Sequence, residues 1–437
     1  MQKYVLSTKI ILNIFVITSF AVYLFFYIYK YEIGALEDYY LFNKRTDRFA
    51  DILKVIFSFK DVFSDQELLN LSVPQEWVYK NPYNIIIENS SSSTLLMILP
   101  PITIVFVKIS ALFAKFIGIN YLSILILYVS VFTSFIIYIF FNQLKNDKNL
   151  IFILFSFPFL FLIDRGNIMS GISAVCLYVV FKKFYLNKDF SNFDLVFFLV
   201  ACSMRPNYLI FGLLFLFKKD FLSNFIEFLK VGISYIVLNG LFFMTANIFL
   251  NNYKFKNFII ANDYYFDSAI RFVPWNSSMY GAVYNLYMSN FEKIKGIKSK
   301  EIIELIDRIV ISPHLVQAIM LSYLIIIIFA YWKCINKNIS RQSFLIVTSS
   351  ACALFTSPFS DYHLIIFAFL TLLFIDNVSI FKLRKVSLML LLILLLPKLH
   401  ASSPIFNYSN FINSFSLNVL ILIHLFSKQS SYYFQKD

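Results

Sequence analysis

A dozen apolar runs follow one another along this chain, at about 8–29, 120–141, 150–163, 168–181, 193–204, 207–217, 229–250, 313–332, 342–356, 362–376, 386–397 and 411–427. Most are separated by only a few polar residues. Such a pattern leaves few choices of fold. Each run approaches the ~20 residues that cross a hydrocarbon layer as a helix, and each is too continuously apolar for a barrel strand, whose two faces alternate. The chain of 437 residues is 59% hydrophobic and 14% charged, more apolar than a water-soluble core of that size requires. The pattern predicts an all-α polytopic membrane protein, a bundle of about twelve transmembrane helices forming a single integral-membrane domain over residues 1–437. Several runs are short for a complete crossing, so helix breaks or wet cavities are expected among them.

The joins between runs carry the orientation. One further apolar stretch, 94–117, is left as non-spanning and the N-terminus is placed inside. The short cytoplasmic joins then hold Lys145, Lys148, Lys182, Lys183, Lys188, Lys218, Lys219, Lys333, Lys337, Arg341, Lys382, Arg384 and Lys385. The short joins on the other side hold only Arg165, Arg205 and Lys398. The positive-inside preference selects this register, with both termini cytoplasmic in a multi-pass protein of the cell membrane. The net charge of +13 is therefore a topology signal and not a nucleic-acid-binding surface. Stretch 94–117 carries Pro100-Pro101, Lys108 and Lys115, and is expected as a kinked helix in the outer interface. Two long connections face outward, 31–119 with that interfacial helix, and 251–312. Lys3 and Lys9 precede the first run, and no small-residue cleavage site follows it, so it reads as an uncleaved helix. Cys176, Cys202, Cys334 and Cys352 lie in or beside apolar runs and read as small buried hydrophobes.

Chemistry is sought where charge interrupts hydrocarbon, because an ionisable group there costs a few kcal/mol or more. Asp164-Arg165-Gly166-Asn167 separates two apolar runs at a tight join. Arg205-Pro206-Asn207 splits what would otherwise be one long run, and the proline predicts a hairpin with Arg205 and Asn207 at its tip. The planar fork of Arg165 or Arg205 suits phosphate oxygens. The competing reading pairs Arg165 with Asp164 as a helix anchor. Asp361-Tyr362-His363 follows another tight turn. Asp361 can bind sugar hydroxyls and His363 can donate to phosphate, while Ser360 or Asp361 can equally serve as a helix N-cap. In the first long connection Asp47 and Asp51, four apart, share a helix face with Arg48 between them. They can form an acid–base pair or a solvated helix face. In the second, Val273 to Gly281 carries Trp275 and tyrosines that can stack on sugars or form an interfacial belt.

The order of these pieces resembles the GT-C superfamily of membrane glycosyltransferases, and most of all the glycosyltransferase family 87 group of mannosyltransferase-like proteins. The resemblance rests on T-D-R-F-A-D (Thr46 to Asp51), N-P-Y (Asn81 to Tyr83), S-T-L-L-M-I-L-P-P (Ser93 to Pro101), R-G-N (Arg165 to Asn167), M-R-P-N (Met204 to Asn207) and S-P-F-S-D-Y-H (Ser357 to His363), spread over nearly the whole chain. It implies a GT-C-like bundle with two large outer loops and a polyprenyl-phosphate sugar as donor. The acceptor is a hydroxyl of a glycan, lipid or protein. It also implies that Asp47, or Asp51 beside it, is the catalytic base. Arg48, Arg165, Asn167, Arg205, Asn207, Asp361 and His363 are the expected substrate-binding residues. No zinc-like spacing of His, Cys, Asp and Glu occurs. A divalent ion held by Asp47 or Asp51 and the donor phosphate is the one cofactor the pattern admits.

No P-loop, dinucleotide fingerprint or nucleophile elbow is present, which disfavours ATP hydrolysis and direct use of nucleotide sugars. Two alternatives stand. A polysaccharide polymerase of the O-antigen type has a similar number of spans and arginines in outer loops. A lipid-linked sugar flippase or transporter is of another class; it would be expected to show inverted repeats and midplane charges.

Overall fold

The computed structural model describes residues 14–19, 21, 100–117, 156–165, 168–217, 221–249, 278–282, 313–355, 364–375, 382–396 and 404–426. The described residues are helical, with no strand among them. In chain order the helices are α1 (Pro101–Ile117), α2 (Phe157–Arg165), α3 (Ile168–Tyr185), α4 (Asn192–Met204), a 3-10 helix (Pro206–Leu216), α5 (Phe221–Phe249), α6 (Pro313–Ile335), α7 (Arg341–Phe355), α8 (Ile365–Ile375), α9 (Lys382–Leu395) and α10 (Pro404–Phe426). Residues 14–19 form part of a further helix, with Phe15 in the common core. Runs 31–92 and 120–141, with Asp47, Arg48 and Asp51, lie outside the described residues.

Long-range hydrogen bonds fix how the helices run. Ser173 in α3 donates to the Ala201 carbonyl of α4 at 3.1 Å, and Lys183 bonds Asp194 at 2.6 Å. The two helices are therefore antiparallel, with their join at the Lys183 end. Arg341, opening α7, donates to the Phe184 carbonyl at 3.1 Å, so α7 starts beside that same join. Lys333 near the end of α6 donates to the Leu425 carbonyl of α10 at 2.9 Å, and His424 Nδ1 lies 3.2 Å from Ser343 Oγ. Tyr331 donates to the Leu216 carbonyl at 2.8 Å, closing the far end of the 3-10 helix. One end of the bundle thus gathers Lys182, Lys183, Lys188, Lys333, Lys337 and Arg341. At this basic end Phe184, Phe217, Phe344 and Tyr331 pack ring against ring, and the Arg341 guanidinium lies over Phe184 at 4.8 Å and Phe217 at 5.7 Å.

Among the described residues, two helices are long and apolar enough to cross a membrane, Leu222–Phe249 and His314–Ile335. Their outward faces are apolar: Ile226, Leu229, Ile233, Ile236, Leu241 and Met244 on α5, and Leu321, Ile325, Ile328 and Trp332 on α6. Faces of this extent are covered by something other than water. Inward, α7 is buried along almost its whole length between α6 and α10.

Pro101 opens α1, where its missing N–H and fixed φ cost nothing, and residues 94–99, the other part of the expected kinked helix, lie outside the described residues. α1 packs on α5 and α4, with Ile102 to Val105 and Lys108 buried. Run 207–217 is not an α-helix but a 3-10 helix of 11 residues. At about 2.0 Å per residue the tighter coil carries so short a segment farther than an α-helix would. α5 begins at Phe221, eight residues before the apolar run that announces it. Within connection 251–312, the described residues Ser278–Ala282 are buried against α10, where Ser414 donates to the Ser278 carbonyl at 3.2 Å. Asn418 Oδ1 of α10 accepts the hydroxyl of Tyr323, close to the midpoint of α6, at 2.8 Å, and Asn418 Nδ2 donates to Met279 Sδ at 3.8 Å. The turn therefore reaches mid-depth in the bundle.

Candidate functional site

At the end opposite the lysines, α4 stops at Arg205. Pro206 has no N–H to continue the ladder, and Arg205 adopts a non-helical backbone. The Ala201 carbonyl accepts both the Arg205 N–H at 2.9 Å and the Ser173 hydroxyl at 3.1 Å. This fastens the last turn of α4 to α3 and sets Arg205 one turn farther along, beside Ser170. There the Arg205 Nε donates to Ser170 Oγ at 3.1 Å, and Nη2 donates to the same oxygen. Ser170 is 1% exposed. Across the turn, Asn239 of α5 donates to Ser203 Oγ at 3.1 Å.

The third side of the turn is α7. Cys352, one turn before the end of α7, places its sulfur 3.6 Å from the Asn207 carbonyl. Phe355 ends that helix, and Ser357 to His363 connect it to Leu364 and α8. Ser170 likewise lies three residues after Asn167, in the opening turn of α3. Three polar turns singled out in the sequence therefore leave from helix ends that meet around Arg205: the one before α3, the one after α4 and the one after α7.

The expected residues divide as follows. Arg205 is half-buried at this junction and Asn207 is exposed beside it. Arg165 closes α2 together with Asp164, in the residues leading to α3; its side chain lies outside the described ones, and so does Asn167. Asp361 and His363 lie outside the described residues, between α7 and α8. Asp47, Arg48 and Asp51 are likewise outside them. Among the described residues no group of three His, Cys, Asp or Glu could hold a metal ion. The four cysteines are buried and unbridged, as their apolar settings predict. Within the stretch Val273 to Gly281, Met279 packs against the core and Tyr280 is buried.

Ser170 is the residue that the sequence analysis missed. A serine in an apolar helix reads as a small packing residue. A signal was nonetheless present: Ser170 and Ser173 are three apart and share a face of α3, and an antiparallel partner ending at Arg205 turns that face toward it. In comparisons with known proteins, no family model matches the chain, and neither does any curated protein or solved structure.

Proposed function

We propose that the chain is an integral-membrane glycosyltransferase that moves a sugar from a polyprenyl phosphate to a hydroxyl of a glycan, lipid or protein. The reaction runs on the membrane face opposite the lysine-rich end. The observation that carries this reading is that the start of α3, the end of α4 and the last turn of α7 meet around Arg205, at the end of the bundle away from Lys183, Lys333 and Arg341. A guanidinium at the boundary of apolar helices, held by a neighbouring hydroxyl, suits a phosphate whose lipid tail lies along the bundle. The apolar outer faces of α5 and α6 suit lipid.

In the proposed reaction the acceptor hydroxyl loses its proton to Asp47, with Asp51 as the second candidate. The acceptor oxygen forms a bond to the sugar's anomeric carbon as the bond from that carbon to the phosphate oxygen breaks. The polyprenyl phosphate leaves with the electron pair, and Arg205, with Arg165 in support, offsets its charge. Asn167, Asn207, Asp361 and His363 complete the polar rim that holds sugar and phosphate, and Arg48 flanks the base. A divalent ion beside Asp47 or Asp51 is compatible with this scheme, and no step requires it.

The test is transfer from synthetic polyprenyl-phosphate sugars by the purified protein in lipid nanodiscs. Wild type forms a new glycosidic bond, and Asp47→Asn folds but does not. Full activity of Asp47→Asn removes that residue from the mechanism. A long ladder of products instead of single additions would favour the polymerase reading, and sugar movement without bond formation the transporter.

A further inference from the structure

Arg205 is not a tip residue waving in open space. Both the Nε and Nη2 hydrogens of its fork close on one oxygen, Ser170 Oγ, in the first turn of a different helix. Nε and Nη2 form the side edge of a guanidinium. When that edge is seated, the plane of the group and the direction of its end edge, Nη1 with Nη2, are fixed together. The end edge is the one that meets two oxygens of a phosphate at once. An unrestrained arginine must give up side-chain entropy to be held in one geometry. Part of that cost is met before any ligand arrives.

The seat itself is rigid. Ser170 is 1% exposed, and Ser173 one turn later ties α3 to the Ala201 carbonyl, the same oxygen that receives the Arg205 N–H. Backbone and side chain of Arg205 are thus referenced to the same face of α3. We propose that Ser170 is a positioning residue that aligns the Arg205 guanidinium for the phosphate of a polyprenyl-phosphate ligand. This assignment rests on the phosphate-binding reading of Arg205 given above and adds the residue that makes the arginine selective for a planar, two-oxygen contact.

The probe is farnesyl phosphate, titrated against the full chain in nanodiscs, with unfolding midpoints measured on the same samples. Arg205→Ala should weaken binding by about a hundredfold and Ser170→Ala by about tenfold, the loss expected for one hydrogen bond to a charged group. Ser170→Thr, which keeps the hydroxyl, should bind within about twofold of wild type. In the transfer assay Ser170→Ala should raise the donor KM with kcat almost unchanged, whereas a merely structural serine would lower the active fraction and leave KM alone. In the Arg205→Ala background, Ser170→Ala should add nothing further. The outcomes separate the two ideas. If wild type does not bind farnesyl phosphate, or Arg205→Ala binds as well as wild type, the phosphate reading of Arg205 fails and takes this inference with it. If Arg205→Ala weakens binding but Ser170→Ala does not, or its effect persists in full without the arginine, the positioning role alone is overturned.

Discussion

The two ends of the bundle finish their helices by different chemistry. At the basic end, α3 and α6 close with the same device. The N–H of Lys188 bonds the Lys183 carbonyl and that of Asn187 the Phe184 carbonyl; Asn338 and Lys337 do the same to Lys333 and Cys334. Both are Schellman motifs, with Asn187 and Lys337 in the left-handed region at φ 55 and φ 56. A serine then opens the next helix. The Asp194 carboxylate accepts the Ser191 N–H and hydroxyl and the Lys183 ammonium, each at 2.6 Å, and Ser340 Oγ accepts the Ser343 N–H at 3.0 Å. Charges here serve local closure: Lys183 meets an acid within its own hairpin, and Lys333 caps the end of α10 between Phe329 and Phe426. At the other end, the α4 turn has neither a left-handed residue nor a side-chain cap. Among the described residues, its one charged side chain reaches across to a hydroxyl of another helix. At the basic end the charges close hairpins and helix ends, Lys183 on Asp194, Lys333 on the Leu425 carbonyl and Arg341 on the Phe184 carbonyl. The Arg205 side chain bonds a side-chain hydroxyl as part of no cap or hairpin, which leaves it fixed in direction without closing a helix end.

The largest effect that can break this comparison is all-or-none. Asn207 and Asn338 are both exposed, one at each end. Asn207→Cys should react with an impermeant maleimide on spheroplasts, and Asn338→Cys only after the membrane is opened. The native cysteines are buried and give little background. Reaction of both variants from one side would mean that the ends do not face opposite compartments, and the positive-inside assignment would fall.

Next comes an exchange of phenotypes. Arg205→Ala should lower kcat/KM for transfer by about a hundredfold, in the range for loss of one electrostatic contact to a developing charge, with little change in unfolding midpoint. Lys183→Met should do the reverse. It removes the ammonium from the Asp194 carboxylate, whose side chain is 3% exposed and keeps its two Ser191 hydrogen bonds, and should cost about 1–2 kcal/mol of stability, a value kept low because Lys183 itself is 34% exposed. Binding of farnesyl phosphate per folded molecule should stay within about twofold of wild type, since the lysine acts only through folding. If Lys183→Met loses binding and Arg205→Ala loses stability, the division of labour between the ends is wrong.

Much of this division is legible in the sequence, because it follows from hydrophobic length and from the placement of charge. The expected run 342–356 becomes Arg341–Phe355 and 313–332 becomes Pro313–Ile335, and the lysines that mark their joins lie together. The Arg205-Pro206 break is where proline puts it. Other features leave no periodic trace. Pro206–Leu216 is apolar throughout, so its sequence cannot distinguish 3.6 residues per turn from 3.0. α5 starts early because Ser223, Asn224, Glu227 and Lys230 dilute its apolarity without ending the helix; Lys230 reaches Asn192 at 3.1 Å, near the basic end. The insertion of Ser278–Ala282 is a tertiary event, and a short polar and aromatic stretch does not announce that it will be buried. Ser170 is invisible for the same reason, since its role depends on a partner 35 residues away.

The smallest predicted effect sharpens the claim that the basic end is finished scaffold. Asn187 and Lys337 occupy the same position in the same motif, with nearly equal φ, yet they differ in chemistry. Left-handed backbone costs an ordinary side chain about 1 kcal/mol or more, and asparagine much less, because its short amide can bond locally. Lys337→Gly should therefore raise stability by about 1 kcal/mol, and Asn187→Gly by only a few tenths. Both should leave phosphate binding unchanged, because neither residue lies near Arg205. Lys337 carries one of many positive charges at this end, so its removal should not invert the topology. Equal gains at the two positions would show that side-chain chemistry at the turn is irrelevant. A loss at Lys337 would show that its ammonium makes a contact stronger than the strain, and would give the basic end a role beyond closure.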